Sequence, residues 1–203
     1  MPYCVFCNII AGTEPADVLY QDDELMVFRN RLRWVPVMLL ATPKRHLMQE
    51  ELWSNLGAVG RVAFEMGQRH CPHGFRLVSN FGWDALQSQP HAHIHILGGG
   101  PMEAVTPLLR SWRSHTELDY MGVSQAAAGE WPPVVMIAEP RAETDQAVLW
   151  ANMGEVGAEL VRLGMRSCPG GFRLVSNVGW DALQDRAGAH VYLLGGDELG
   201  HYV

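Results

Sequence analysis

The stretch that decides the fold runs Gln87-Ser88-Gln89-Pro90-His91-Ala92-His93-Ile94-His95-Ile96-Leu97-Gly98-Gly99. Its three histidines alternate with small or apolar residues, which is the period of a β-strand, so the three rings are expected on one face. The residues between them would face the core. Buried imidazole rings need hydrogen-bond partners or a metal ion. The pattern therefore indicates a metal site, a satisfied polar core or a catalytic centre.

Three alternating histidines followed by Leu97-Gly98-Gly99 resemble the motif of the histidine triad family. The glycine ending is similar to the Hint branch of that family, the nucleoside phosphoramidate hydrolases. The resemblance extends without a gap from Asn80 to His95. It covers residues 1–99 nearly completely, and Pro43-Lys44-Arg45-His46 resembles a family turn whose histidine points back toward the triad.

Length, composition and charge limit the class of protein, its compartment and its partners. The 203 residues suffice for one large domain or two small ones, and 48% apolar with 18% charged residues is ordinary for a globular protein. The sequence has no long uncharged apolar run and no signal-like start, so we expect neither a membrane span nor secretion, but a cytoplasmic protein. A net charge of −7 argues against nucleic acid or an anionic membrane as the main partner and leaves a nucleotide possible.

The four cysteines are expected to be reduced in that compartment. Cys71 and Cys168 occupy matching places in an internal repeat and are expected to be buried. Cys4 and Cys7 form a Cys-x-x-Cys pair, which is either half of a zinc site or two buried thiols. A redox role is not favoured, because no βαβ pattern lies beside them.

Apolar patterning predicts the elements of the first hundred residues. The predicted strands lie at 18–20, 25–28, 35–41, 74–80 and through the histidines, with a loop at 81–86. A short helix is predicted at 8–12 and a long one at 50–70. The long helix carries one apolar stripe of Leu52, Leu56, Val59, Ala63 and Met66. Its glycines indicate close approach by a neighbouring element.

The resemblance implies a set of site residues. His93 would be the nucleophile, with His91 and His95 completing the catalytic triad. Phe28, Asn30, Asn80, Gln87, Ser88 and His95 would contact the nucleotide. A structural zinc ion would be held by Cys4, Cys7, His46 and His91. One departure is Asn30, which stands where the family usually has an Asp that accepts hydrogen bonds from both ribose hydroxyls.

The second half of the chain repeats the first at an offset of 97 residues. Between 71–99 and 168–196, 20 of 29 positions are identical. The helix stripe also recurs, at Leu149, Met153, Val156, Leu160 and Leu163. A repeat of this length indicates two copies of one structural unit. Residues 100–130 are expected to separate the copies, with 124–130 as loop and the second copy trimmed at its start.

The reactive residues are not kept in the second copy. His46 is replaced by Glu143, Ser88 by Asp185, His91 by Gly188 and His95 by Tyr192, whereas His190 remains at the position of His93. Asp185 would repel a phosphate. We therefore expect the second half to be a packing partner and not a second enzyme.

Together these observations predict an α+β protein with a histidine-triad-like fold. Residues 1–100 would form the active domain and 101–203 a degenerate repeat, as an intramolecular pseudo-dimer that is monomeric or forms a further homodimer. The function implied is hydrolysis or nucleotidyl transfer on purine nucleoside phosphoramidates or related phosphoanhydrides. The alternative is a non-catalytic zinc-containing module that binds nucleotides or proteins. A galactose-1-phosphate uridylyltransferase-like enzyme is disfavoured, because its His-Pro-His centre is missing.

Overall fold

The computed structural model describes residues 3–104, 112–126, 132–141 and 144–200. Within these ranges the helices are α1 (Val5–Ile10), α2 (Gln49–Trp53), α3 (Gly57–His70), α4 (Gln146–Ala151) and α5 (Gly154–Ser167). The strands are β1 (Val18–Gln21), β2 (Leu25–Arg29), β3 (Val37–Pro43), β4 (Gly74–Gly82), β5 (Ile94–Gly98), β6 (Trp112–Glu117), β7 (Met121–Ala126), β8 (Val134–Pro140), β9 (Gly171–Gly179) and β10 (Val191–Gly195). None of the helices in these ranges is long and apolar enough to cross a bilayer.

All ten strands form one antiparallel sheet in the order β1-β2-β3-β5-β4-β9-β10-β8-β7-β6. The order reads the same from both ends once each strand is exchanged for its counterpart in the other half. The centre of the sheet is the β4–β9 pair, which extends from Gly74 opposite Gly179 to Gly82 opposite Gly171. The two halves are therefore joined by a continuous ladder of backbone hydrogen bonds.

Two opposite faces of the sheet are buried. The larger cluster lies under α3 and α5 and includes both predicted helix stripes, whose members are all buried. Ala92, Ile94 and Ile96 belong to this cluster, which confirms that they face the core. A second cluster covers the other face and contains Val78 and Val175 of the central strands. A small third cluster packs α1 against β2 and β3.

The first half contains the predicted elements with several corrections. The short helix predicted at 8–12 lies at Val5–Ile10, and β4 continues to Gly82, into the segment predicted as loop. The single helix predicted at 50–70 is wrong: it is divided into α2 and α3, because Gly57 takes a φ of +42°. The apolar stripe of the predicted helix continues across this break, so the hydrophobic pattern gave no sign of it. The third strand lies at Val37–Pro43 and not at 35–41. Finally, β5 begins only at Ile94, so His91 and His93 precede its ladder.

The region expected to separate the copies contains two strands, which corrects the prediction of a loop at 124–126. Strand β6 pairs with β7, and β7 pairs with β8, so Ser124 to Ala126 are strand residues. Residues 127–130, and Glu143, lie outside the described residues. Among the described residues, no helix like α1 precedes β6.

The helix glycines mark where the two halves touch. A Cβ on Gly60 of α3 would lie 2.2 Å from the carbonyl oxygen of Trp150 in α4. The mirror position is Gly157 of α5, where a Cβ would lie 2.6 Å from the carbonyl oxygen of Trp53 in α2. Close approach is thus confirmed, and it brings each long helix against the short helix of the other half.

We expect Gly60→Ala to lower the free energy of unfolding by about 1–3 kcal/mol, because the added methyl would overlap a backbone oxygen that cannot rotate away. In an open helix the same change would stabilise by about 0.5–1 kcal/mol, so the sign of the effect reports the contact. Urea titration measures it. Gly100→Ala, where an added Cβ meets nothing within 4 Å, is the control. An unchanged or raised stability of Gly60→Ala would contradict the helix contact.

Candidate active site and metal site

His93 is buried and its ring is oriented by a backbone carbonyl. Its Nδ1 lies 2.8 Å from the carbonyl oxygen of His91. Because a carbonyl only accepts, Nδ1 carries the proton and Nε2 of the neutral ring keeps its lone pair. The edge of the Phe6 ring packs on the same imidazole, with centroids 5.2 Å apart. His93 therefore presents a fixed, unprotonated Nε2.

His95 lies beside that nitrogen. The two Nε2 atoms are 3.2 Å apart, so His95 must donate its Nε2–H to His93 when both rings are neutral. Burial lowers the pKa of His93 to about 4. Burial also places the pKa of His95 well below its ordinary value, with the charges of His93 and Arg173 acting in the same direction. Both rings are thus neutral at pH 7, with an unprotonated Nε2 on His93 and a hydrogen-bond donor on His95.

Gln49, at the first position of α2, holds the main chain at His93. Its Nε2 donates to the carbonyl oxygen of His93 at 2.8 Å, and its Oε1 accepts from the His93 N–H at 2.9 Å. Sequence reasoning missed this residue. The repeat carried the signal, because Gln146 stands 97 positions later and makes the same two bonds to His190.

The structure brings together the four residues predicted as metal ligands. One ligand atom from each of Cys4, Cys7, His46 and His91 lies within 4.8 Å of all the others. Cys7 Sγ is 3.2 Å from Nδ1 of His46 and 3.5 Å from Nδ1 of His91, and Cys4 Sγ is 3.6 Å from Nδ1 of His91. Two thiols and two imidazoles therefore converge on one point.

The orientation of His91 suits a metal ligand. Its Nε2 lies 2.9 Å from the carbonyl oxygen of Pro43, so this nitrogen carries the proton and Nδ1, toward the cysteines, is left unprotonated. Burial lowers the pKa of His91, which keeps the ring neutral. Burial also raises the pKa of Cys7, helped by its neighbour Cys4. A thiol is deprotonated when it binds a metal ion, so a bound cation would favour the thiolate of Cys7 against this shift.

A cleft of about 520 Å³ opens beside the two inner histidines. Its apolar wall includes Phe6, Ile9, Phe28 and Leu40, and its mouth is formed by the segment from Arg29 to Arg33. The buried His93 and His95 line its inner end, and Ser88 and Gln89 line a less buried part of it. The cleft thus joins an apolar wall, an arginine-rich mouth in which Arg29 pairs with Asp17, and the unprotonated nitrogen of His93.

Three of the predicted nucleotide contacts lie in this cleft in addition to His95. Phe28 is buried, and its ring packs edge-on against Phe6 with centroids 5.3 Å apart. Ser88 is exposed toward the opening. Asn30 lines the cleft, but its Oδ1 already accepts from the N–H of Leu32 at 3.0 Å. The side-chain oxygen of Asn30 therefore closes its own turn.

The other two predicted contacts, Asn80 and Gln87, do not line this cleft. Gln87 bridges its own loop, accepting from the Gly82 N–H at 2.9 Å and donating to the carbonyl oxygen of Gln89 at 3.2 Å. The Oδ1 of Asn80 accepts from Nε of Arg173 in β9 at 2.7 Å. Both side chains thus make structural hydrogen bonds.

The equivalent place in the second half is closed by its own side chains. His190 keeps the carbonyl contact of His93, with Nδ1 2.9 Å from the Gly188 oxygen. The Tyr192 hydroxyl donates to the carboxylate of Asp185 at 2.7 Å. This carboxylate lies 4.0 Å from Nε2 of His190, which is buried without a hydrogen-bond partner among the described residues. Among the described residues of the second half there is no equivalent of the Cys-His cluster, and Gly188 stands at the position of His91.

Comparison with known proteins agrees with the site. The family model of the HIT domain matches residues 11–102. An uncharacterized HIT-like protein of Chlamydia muridarum is 33% identical over 107 residues, which cover 50% of this chain and 85% of the relative. The chain belongs to the HIT domain family. A second uncharacterized HIT-like protein, from Chlamydia trachomatis, is 31% identical over 50% of this chain and 96% of its own length.

Among solved structures, the chain is similar to a HIT family hydrolase from Clostridium thermocellum. The two are 28% identical, with a TM-score of 0.47, over 51% of this chain and 96% of the hydrolase. The HIT match thus accounts for about half of the chain, and the family model places it over the half that contains His91, His93 and His95.

Proposed function

We propose that this HIT protein hydrolyses nucleoside phosphoramidates or related phosphoanhydrides, with preference for purine nucleotides, in the manner of the Hint branch. The observation that carries the proposal is the geometry at His93. Its Nε2 is unprotonated, buried at the inner end of a cleft and within hydrogen-bond distance of a second imidazole. A polar core alone would not need to leave a ring nitrogen facing a cleft.

The proposed reaction has two steps, formation of a covalent intermediate on His93 and its hydrolysis by water. The lone pair of His93 Nε2 attacks phosphorus while the bond from phosphorus to the leaving nitrogen or oxygen breaks, and the leaving group takes a proton from solvent. The Nε2–H of His95 and the hydroxyl of Ser88 donate to the phosphoryl oxygens as charge develops. Water then cleaves the P–N bond to His93, which releases the nucleoside monophosphate and restores the neutral ring.

The carbonyl of His91 supports both steps. It accepts from Nδ1 of His93, so the imidazole can become more positive during attack without losing its orientation. Gln49 fixes the main chain on both sides of the same residue. Both contacts fix the position of the His93 ring. A displacement of about 1 Å of a reacting group can cost about 10²-fold in rate.

We also propose that the Cys4, Cys7, His46 and His91 cluster holds zinc. A tetrahedral zinc ion with bonds of about 2.3 Å to sulfur and about 2.0 Å to nitrogen separates these ligand atoms by about 3.5 Å. The measured sulfur–nitrogen distances of 3.2, 3.5 and 3.6 Å agree with this spacing. Four protein ligands leave no open position, so the ion would tie α1 to the residues around His93 and supply no catalytic water.

The second half is proposed to be a degenerate HIT copy, comprising residues 101–203, that packs against the active copy of residues 1–100 as an intramolecular pseudo-dimer. The symmetric strand order and the β4–β9 ladder support this arrangement. The Asp185–Tyr192 pair and the loss of His91 support the absence of chemistry there.

Sedimentation equilibrium is expected to report the mass of one chain, since the β4–β9 ladder already supplies the contact between halves. The exposed outer strands allow a further weak dimer at high concentration. Small-angle scattering provides the shape, which should match one continuous ten-stranded sheet. A stable higher oligomer in which the two halves lie apart in solution would contradict the pseudo-dimer.

Two measurements separate the proposed enzyme from its rival, a non-catalytic nucleotide-binding module. Adenosine 5′-phosphoramidate is incubated with the protein, and AMP release is followed by chromatography, while binding of AMP is measured by calorimetry. Turnover that requires His93 supports the hydrolase. AMP binding without turnover of either the phosphoramidate or a phosphoanhydride would favour the binding module, for which the Asn30 substitution is the main support.

A further inference from the structure

The seam between β4 and β9 carries two matched arginine–asparagine pairs. Nε of Arg173 donates to Oδ1 of Asn80 at 2.7 Å, and Nε of Arg76 donates to Oδ1 of Asn177 at 2.8 Å. All four side chains are buried. Each pair joins one half of the chain to the other, because Asn80 and Arg76 lie in β4 and their partners lie in β9.

Sheet register places the Arg173–Asn80 pair next to the active histidines. Val78 of β4 is opposite His95 of β5. Asn80 lies two residues beyond Val78 on β4, so its side chain points to the same face of the sheet as those of Val78 and His95. Asn80 is in turn opposite Arg173. Asn80 and Arg173 are therefore neighbours on the face that carries His95, just beyond the Val78–His95 pair.

The guanidinium determines which way the Asn80 amide faces. Arginine nitrogens only donate, so the atom facing Arg173 must be the carbonyl oxygen and the NH2 group must face away from it. Within the described ranges no hydrogen bond uses that NH2 group. Among the described residues, the fully buried side-chain nitrogen and oxygen atoms without a hydrogen-bond partner are Trp150 Nε1 and His190 Nε2. The NH2 group of Asn80 is not one of them, so it is not completely buried.

Arg173 is itself held in place from two sides. Its Nη2 donates to the carbonyl oxygen of Gly200 at 3.0 Å and lies 3.4 Å from that of Ala85. Its charge also contributes, after burial and His93, to the lowered pKa of His95. The buried positive charge of Arg173 therefore favours an anionic ligand at the proposed phosphate site, in addition to holding Asn80.

We propose that Arg173 of the second half is a positioning residue for the active site of the first half, where it holds the amide of Asn80 so that the NH2 group donates to the phosphoryl group transferred by His93. This rests on the proposed phosphoryl chemistry at His93. It gives the second half a role in catalysis in addition to packing. Arg76 and Asn177 are the matching pair beside the inactive His190 and serve as an internal control.

The first test uses Asn80→Asp with Asn177→Asp as control. A carboxylate still accepts from Arg173, and more strongly, but cannot donate to a phosphate. We expect Asn80→Asp to keep its thermal midpoint while AMP affinity and kcat/KM for adenosine phosphoramidate both fall at least about tenfold. Asn177→Asp should leave both within about twofold. Unchanged AMP affinity and turnover in Asn80→Asp would overturn the inference.

The second test replaces the arginines with lysine, which lacks the rigid fork. Arg173→Lys should lower kcat at least about tenfold with a smaller change in KM, whereas Arg76→Lys should lose similar thermal stability but keep kcat within about twofold. Equal effects of the two variants on kcat would mean that Arg173 only joins β4 to β9, and would overturn the proposal.

AMP affinity separates failure of this inference from failure of the proposed function. If wild-type protein binds AMP without hydrolysing the phosphoramidate, the reaction class is wrong, and the Asn80→Asp and Arg173→Lys affinities still decide the positioning role. If wild-type protein hydrolyses the substrate and the variants match their controls, only the positioning role is wrong. A wild-type protein that neither binds nor hydrolyses would overturn both.

Discussion

His93→Ala is expected to lower the rate of adenosine phosphoramidate hydrolysis by at least about 10³-fold, which corresponds to roughly 4 kcal/mol in the barrier. The variant removes the nitrogen that attacks phosphorus, so no other group can form the covalent intermediate. The fold should persist, because Gln49 bonds the backbone of His93 and not its ring. Steady-state release of AMP measures the loss, and far-UV circular dichroism checks the fold.

The control for this prediction is His190→Ala in the second half. His190 has the same carbonyl contact as His93, but the Asp185–Tyr192 pair lies beside it. We expect a rate within about twofold of wild type, a change of roughly 0.4 kcal/mol. Loss of activity in His190→Ala with activity retained in His93→Ala would reverse the assignment of active and inactive halves.

The second large effect is expected for the metal site. Protein purified without added metal should contain close to one zinc per chain, and Cys4→Ser/Cys7→Ser should contain almost none. Structural zinc sites contribute folding free energy of several kcal/mol, so the variant should also melt at a lower temperature. Elemental analysis by mass spectrometry and thermal unfolding provide the two readouts.

The matched control removes the two remaining thiols. Cys71 is buried against Gly98 of β5, which pairs with Val37 at the end of β3 opposite to Pro43, and Cys168 is buried against Gly195 of β10. Neither belongs to the Cys-His cluster, and burial raises the pKa of each thiol to about 11. Cys71→Ala/Cys168→Ala is therefore expected to retain its zinc. Metal-free wild-type protein with full thermal stability and activity would rule out the proposed zinc site.

Local pattern in the sequence predicted which residues around the histidines face the core, but not where β5 begins. The alternation at His91, His93 and His95 correctly placed the intervening apolar residues in the core, because that periodicity depends only on adjacent positions. It failed at the break between α2 and α3. There the apolar stripe continues through Leu56, although residues 54–56 are not helical and Gly57, with a positive φ, begins a new helix.

Strands β6 and β7 were missed for a different reason. Ser114 to Glu117 are largely polar, since β6 is the outermost strand of the sheet and has exposed side chains. Alternating hydrophobicity is weak in such a strand, so sequence periodicity gave no signal. The repeat could have supplied it, because the first half has a hairpin at the corresponding place.

The residues of the candidate site that belong to a sequence motif could be predicted. The residues that contact the site from distant parts of the sequence could not. The convergence of Cys4, Cys7, His46 and His91 followed from resemblance to the histidine triad family, not from spacing. Gln49 and Arg173 were missed because each acts on a residue far away in sequence, His93 and Asn80 respectively. Both have counterparts in the second half, so symmetry within the chain was the available signal.

The most direct test of the central claim is detection of the covalent intermediate. Wild-type protein is mixed with adenosine phosphoramidate, quenched within one turnover under conditions that preserve P–N bonds, and analysed by intact mass and peptide mapping. The account predicts one adenylyl group per chain, located on His93, present in His190→Ala and absent in His93→Ala. An adduct on His190, or rapid turnover with no adduct on any histidine, would contradict it.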